Sequence, residues 1–236
     1  MRVLIRADSS TDIGAGHVSR CGALAEALYA RGVRSTLLTR DLPGSVAGAT
    51  EAMDVISLPA TLSDDPLGNV RSAEIARSWL EQDQEPSWLV VDHYDLDAEW
   101  ERAARGDRTK VLAIDDLADR THECHLLLDQ NLAHDGAARY APRVPAGCGL
   151  LLGPQFALLR PAFAEAHSQA YVRQRVRRVL LFFGGGDAFD VTTRAIEASD
   201  LLAPADVLFD VVVGAGNQRA RAISEMEIGS RRIRVT

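Results

Sequence analysis

The sequence predicts an α/β protein of parallel sheets covered by helices, and three observations carry that expectation. Apolar runs of strand length alternate with amphipathic stretches of helix length. A glycine-containing loop joins the first such run to the first such stretch, and the same order of strand, loop and helix restarts after residue 176. No repeat of about 20–50 residues is visible, which excludes a solenoid.

RVLIRA at 2–7 reads as the first strand. Val18, Cys21, Leu24, Ala25 and Leu28 then recur at helical spacing until Gly32 offers a stop. SWLVVDHY at 87–94, a helix around 97–105 and KVLAIDD at 110–116 repeat the unit, and HLLLDQN at 125–131 follows closely. Residues 161–176, with Pro161 and a run of His167, Gln169, Arg173, Gln174 and Arg175, read as a polar linker helix between a lobe at 1–160 and a second at 177–236. In the second lobe RRVLLFFGGGD at 177–187 is a strand entering a glycine loop, and 190–202 is helical. LFDVVVGAGN at 208–217 is a second strand and loop, a helix lies near 218–227, and RRIRVT ends the chain. Two βα units and a third strand are thin for an independent doubly wound domain.

Composition narrows the function. With 47% hydrophobic and 25% charged residues the chain is that of a soluble globular protein. No apolar run approaches the roughly 20 residues needed to cross a bilayer, and MRVLIRADSS turns polar too early for a secretory leader, so a cytoplasmic location and no membrane partner are expected. Cys21, Cys124 and Cys148 are odd in number and lack CxxC spacing, which suggests buried thiols rather than disulfides or zinc. A net charge of −7 argues against a nucleic-acid partner and for small-molecule chemistry.

Three segments could carry that chemistry. In DSSTDIGAGHVSRC, residues 8–21, Gly14, Gly16 and His17 stand between a strand end and a helix start, where ligands of open α/β sheets bind. The glycines let backbone approach a ligand, and His17 in the first helical turn sits where the dipole favours a neutral ring able to accept a proton from water. The competing reading of His17 is an exposed helix-cap residue. A dinucleotide fingerprint fails because Ser19 stands where GxGxxG needs its last glycine. In VVDHYDLDAEWE, residues 90–101, Asp92 and Tyr94 end an apolar strand, and Tyr94 can hold a hydrogen bond near a nucleophilic water. Asp92, Asp115 and Asp116 are read equally as helix or loop fasteners and as ligand contacts, whereas His93 is read as structural. In FFGGGDAFD, residues 182–190, Gly184, Gly185, Gly186 and Asp187 form a loop that could admit a diphosphate, although the Walker pattern is absent. Arg160 could reach a phosphate or sugar, or form a surface ion pair. His122 and His125 lack a metal-site motif and no GxSxG elbow occurs, so neither a metal nor a nucleophilic serine is expected.

Taken together, IRADSSTDIGAGHVSRC, VVDHYDLDAEWE, IDDLADRTHECHLLLDQNL, LLGPQFALLRPAF and VLLFFGGGD resemble, in order and interval, the UDP-2,4-diacetamido-2,4,6-trideoxy-β-L-altropyranose hydrolases of pseudaminic acid biosynthesis. The resemblance implies a glycosyltransferase-B-like fold of two Rossmann-like lobes around a cleft. It also implies metal-independent, cofactor-free hydrolysis of the anomeric C1–O bond of a UDP-sugar with inversion. In that picture His17 matches the general base and Tyr94 helps to place water or substrate. Arg160 matches a substrate-binding arginine, and Gly184, Gly185 and Asp187 match the loop near the diphosphate. Gly186 stands where the family more often has serine. Family members also continue into a glycine-rich GAGG segment and a glutamate-bearing helix that bind uridine and phosphate. No such segment precedes Thr236, so an incomplete second lobe, weak UDP binding and self-association through an exposed apolar face are expected. The alternatives are a UDP-sugar glycosyltransferase of the same fold and a catalytically idle binding module. Acceptor-free release of sugar separates the first from the hydrolase, and indifference to loss of His17 marks the second.

Overall fold

The structure is a computed structural model and describes residues 1–62, 66–82, 85–187, 189–202, 204, 206–214, 216–229 and 232–236. Ala215 of the expected second glycine loop and Arg231 of the expected last strand lie outside the described residues. The chain divides into two compact units, one of Met1–Ser9 with Gly16–Glu165 and one of Ser10–Ala15 with Ala166–Thr236. The division falls inside the expected linker, and the short loop at 10–15 groups with the second unit.

The first unit is one parallel sheet of seven strands. In chain order its elements are β1 (Arg2–Ala7), α1 (Gly16–Tyr29), β2 (Ser35–Arg40), β3 (Met53–Leu58), α2 (Pro66–Glu81), β4 (Ser87–Asp92) and α3 (Ala98–Ala104). There follow β5 (Thr109–Ile114), β6 (Leu126–Asp129), α4 (Gly136–Tyr140), β7 (Gly149–Leu152) and α5 (Pro161–Ala166). The strand order is β3-β2-β1-β4-β5-β6-β7. The chain winds outward from β1 through β2 and β3, then returns to lay β4 against the other side of β1. That reversal is the topological switch point, and it opens a crevice at the carboxyl ends of β1 and β4.

Both faces of this sheet are buried, as parallel sheets require, and alternate residues of each strand serve opposite faces. Val3, Ile5, Leu37 and Val90 pack with Val18, Cys21 and Ala25 of α1. Leu4, Leu38, Leu89 and Val91 pack with Ala76 and Leu80 of α2 and Trp100 of α3. Each fully buried Leu, Ile or Val contributes about 1.5–3 kcal/mol, so α1 is held on the sheet by several such contacts. The indole of Trp100 keeps its polar end satisfied by donating to Ser72 Oγ at 2.9 Å. Gly32 ends α1 as expected, with φ +79 and its amide donating to Tyr29 O at 2.8 Å.

The second unit holds β8 (Arg178–Leu181), α6 (Val191–Leu202), β9 (Leu208–Val211), α7 (Ala220–Gly229) and β10 (Ile233–Val235). Its three parallel strands run in the order β10-β9-β8 around Ile196, Val211, Ile223 and Ile233. β8 is only half covered, and Leu180 is 67% exposed.

Two readings of the sequence differ from this architecture. The helix expected over 161–176 is α5 followed by a 3-10 turn at His167–Gln169, and every residue from 161 to 176 is exposed. With no face to bury, so polar a stretch lacks the tertiary packing that sustains most helices. β2, β3, α2 and β7 were not foreseen. Ser35, Thr36, Thr39 and Arg40 are buried positions of β2, so that strand does not show the apolar run that marks its neighbours.

Arg40 is accommodated by a buried ionic cluster around Asp8, just beyond β1. Asp8 accepts from Arg40 Nε at 2.6 Å, Arg40 N at 2.8 Å, Arg6 Nη2 at 2.9 Å and Thr39 Oγ1 at 3.3 Å. The His93 ring lies 3.1 Å from the same carboxylate, so His93 is structural, as its strand position suggested. Burial alone would raise the Asp8 carboxyl, but the bonds from His93, Arg6 and Arg40 outweigh it and hold it far below the usual carboxylate range. Because the folded-state value is the depressed one, the stabilisation is complete above the ordinary value of 3.8 and is lost as pH falls below it. Asp8→Asn is expected to cost about 3–5 kcal/mol, since it removes the negative charge that two buried guanidinium groups share, and urea denaturation at pH 7 measures it.

Candidate active site

The switch-point crevice of the first unit collects Gly16, His17, Asp92, Tyr94 and Arg160 of the residues singled out in the sequence. Gly16 opens α1, and His17, one residue later, brings its ring to the end of β4. The His17 side chain is only 9% exposed. Its Nδ1 lies 2.6 Å from Asp92 Oδ1. Arg20, one helical turn on, grips the same carboxylate with both arms of its fork: Nε donates to Oδ2 at 2.6 Å and Nη2 to Oδ1 at 2.5 Å. The Cys21 thiol adds a weaker bond to Oδ2 at 3.5 Å.

Asp92 is completely buried. Burial works against its charge, yet the hydrogen bonds from Arg20 and His17 prevail and hold its carboxyl below the usual carboxylate range. The carboxylate is therefore ionised near neutrality, and the proton in the 2.6 Å contact belongs to His17 Nδ1. Nδ1 then has no lone pair to offer Arg20 Nη2 at 3.2 Å, which makes that approach a packing contact. Among the described residues nothing hydrogen-bonds to His17 Nε2, the nitrogen left with the lone pair. Cys21, buried beneath this arrangement, has its thiol pushed well up by burial and by the Asp92 charge.

Tyr94 borders the ring from the loop after β4. The two rings meet edge to face, 4.8 Å between centroids at 81°, and Tyr94 is 43% exposed. Burial first, and then the Asp116 carboxylate beside it, push its hydroxyl above the ordinary value, so it stays protonated and able to donate. Asp116 also lies 4.0 Å from Arg20 Nη1 and accepts from Asn131 Nδ2 at 3.3 Å. Asp115 is a loop fastener, accepting from Ala118 N at 2.8 Å and pairing with Arg120 at 2.7 Å. Arg160 is exposed on a shallow groove of about 280 Å³ whose other walls include Gly16, Arg20, Gln130, Leu158 and Phe163.

The glycine residues have distinct local reasons. Gly14 adopts φ +81 and closes a tight turn by donating to Ser10 O at 2.8 Å, while Ser10 Oγ accepts from Ile13 N at 2.9 Å. In the second unit Gly184 adopts φ +86. Gly185 O accepts from Gly216 N at 3.1 Å, and a Cβ at Gly214 would come within 2.3 Å of that same oxygen, so two glycine loops lie backbone against backbone. The amides of Gly184, Gly185 and Gly186 donate to no group among the described residues. Asp187 is engaged at the start of α6, accepting from Val191 N at 2.8 Å and Thr192 N at 2.9 Å. Among the described residues no three His, Cys, Asp or Glu side chains gather as metal ligands, and no helix is long and apolar enough to cross a membrane.

No family model matches the chain. The chain is 26% identical over 227 residues to the UDP-2,4-diacetamido-2,4,6-trideoxy-beta-L-altropyranose hydrolase of Campylobacter jejuni, a match spanning 95% of this chain and 74% of that protein. Its structure resembles that of MurG from Acinetobacter baumannii with a TM-score of 0.54 and 13% identity, over 100% of this chain and 67% of that one. UGT89C1 from Arabidopsis thaliana, solved with UDP, gives the same TM-score and identity over 99% of this chain and 73% of its own. The chain has the glycosyltransferase-B fold. The likeness read from its segments extends to a curated hydrolase of that name along nearly its whole length.

Within the glycosyltransferase-B fold, the first unit brings together Gly16, His17, Asp92, Tyr94 and Arg160. Asp92 was expected to face a ligand, but it is wholly buried and bonded to the His17 ring instead. Asp187 was expected near a diphosphate, but both its oxygens are taken by the first amides of α6. Arg20 was missed. Its signal was there: three residues beyond His17 on a helix, it shares the histidine's face.

Proposed function

We propose that this chain hydrolyses the anomeric C1–O bond of a UDP-2,4-diacetamido-2,4,6-trideoxyhexose, releasing UDP and the free sugar for nonulosonic (pseudaminic) acid synthesis. The observation that carries this reading is the His17 Nδ1 contact to buried Asp92, with no partner for Nε2 among the described residues. Water gives a proton to Nε2 as its oxygen bonds to C1, and the C1–O bond to the diphosphate breaks with its electron pair leaving on UDP. A single displacement inverts the anomeric centre. Asp92 holds the ring in the tautomer that makes Nε2 the acceptor and stabilises the imidazolium that forms.

In this reading the Tyr94 hydroxyl orients the water or a sugar oxygen, and Arg160 presents positive charge to the substrate from the groove beside α1. Within the second unit the amides of Gly184, Gly185 and Gly186 are donors suited to phosphate oxygens, and within the first unit Gly16 leaves room beside His17. Asp187 shapes the phosphate loop through its bonds to α6. No metal is required by this scheme, because the leaving diphosphate is stabilised by amides and arginine. The curated relative supports the substrate class by its name.

The test is incubation with the UDP-sugar and no acceptor. Free sugar and UDP are expected in equal amounts, at a rate unchanged by a chelator, with the product anomer first seen by NMR being the inverted one. Strict dependence on an acceptor would instead assign a glycosyltransferase, and retention of configuration would remove the single displacement.

A further inference from the structure

We infer that Arg20 is a positioning residue for the base, keeping Asp92 ionised and oriented so that the His17 lone pair lies on Nε2. This inference rests on the hydrolysis proposed above. Asp92 is wholly buried, and a carboxylate in that setting with only a histidine for company would draw a second proton onto the ring. An imidazolium paired with a carboxylate is stable but cannot take a proton from water. Arg20 supplies the missing positive charge permanently, through a two-point contact of 2.6 Å and 2.5 Å that a compact ammonium cannot reproduce.

The surroundings are consistent with this division of labour. Charged and titratable groups reach the dyad or its arginine from three elements: Arg20 and Cys21 on α1, Tyr94 after β4, and Asp116 after β5, the last approaching Arg20. Cys21 is held as a neutral thiol by burial, and Tyr94 remains a neutral phenol. Asp116 is a second carboxylate, and its 4.0 Å approach to Arg20 Nη1 places the guanidinium between it and Asp92. Removing Arg20 would therefore leave the His17–Asp92 pair without its permanent positive partner.

Arg20→Gln and Arg20→Lys in the full chain test the idea, with circular dichroism confirming that each is folded. For Arg20→Gln, kcat at pH 7 is expected to fall by about 10- to 100-fold, within the range a general base contributes, while KM stays within about 3-fold. The acidic limb of its pH–rate profile should move to higher pH, so that much of the loss disappears at alkaline pH. Arg20→Lys should recover part of the rate. Independently of turnover, ¹⁵N NMR of His17 at pH 7 should show Nδ1–H with bare Nε2 in the parent, and a cationic ring or mixed tautomers in Arg20→Gln. Unchanged ¹⁵N shifts with an unchanged pH profile would overturn the proposal, as would a change confined to KM, which would make Arg20 a substrate contact. Should the parent chain release no sugar from any UDP-sugar, the hydrolase reading fails by itself, and the ¹⁵N comparison still decides the role of Arg20.

Discussion

His17→Asn is expected to lower kcat by about 10²–10⁴-fold while leaving KM within a few-fold of the parent value, since the substitution removes the proton acceptor and little of the binding surface. Asparagine approximates the ring's reach to Asp92 without offering a basic nitrogen. Steady-state release of UDP between pH 5 and 9 measures both effects. A variant that kept parental turnover would leave His17 with no chemical role, as an idle binding module would require.

Asp92→Asn carries the second large effect and acts through another residue. The neutral amide can accept one hydrogen bond at its oxygen but presents N–H groups where Oδ1 and Oδ2 now receive Arg20, His17 and Cys21. The ring relieves the conflict by placing its proton on Nε2, which is the wrong tautomer for a base. An inversion of this kind costs about 10⁴-fold in the serine-protease triad, and a loss of about 10³–10⁴-fold in kcat is expected here. It also takes from the partly buried Arg20 guanidinium the nearer of its two carboxylates, Asp116 remaining at 4.0 Å, so stability should fall by about 1–3 kcal/mol. Turnover below the unfolding transition, set beside urea denaturation of the same variant, separates the two consequences.

The sequence disclosed the sheet where burial coincided with apolar side chains. β1 was read to its observed limits, and β4, β5 and β6 to within a few residues, because Val, Leu and Ile fill their interior positions. β2 escaped because its ends are buried polar groups whose partners lie far along the chain. Arg40 is acceptable in a core only because Asp8 waits for it 32 residues away, a pairing no local pattern announces. The candidate site divides in the same way. The positions of His17 at a helix start and of Tyr94 after a strand were legible from glycine spacing and an apolar run. The purpose of Asp92 was not, since a strand-end aspartate looks the same in one dimension whether it faces a ligand or lies beneath a histidine. Only the depth of β4 beside β1 decides that it is buried.

The carboxylate at the end of β4 is bonded to three side chains from a single stretch of α1: imidazole, guanidinium and thiol. These attachments act in parallel, so a small lift or slide of the helix along the sheet strains all of them together. The dyad should therefore hold its alignment under mild stress and then fail abruptly, with heat inactivation tracking detachment of that one helix instead of gradual drift.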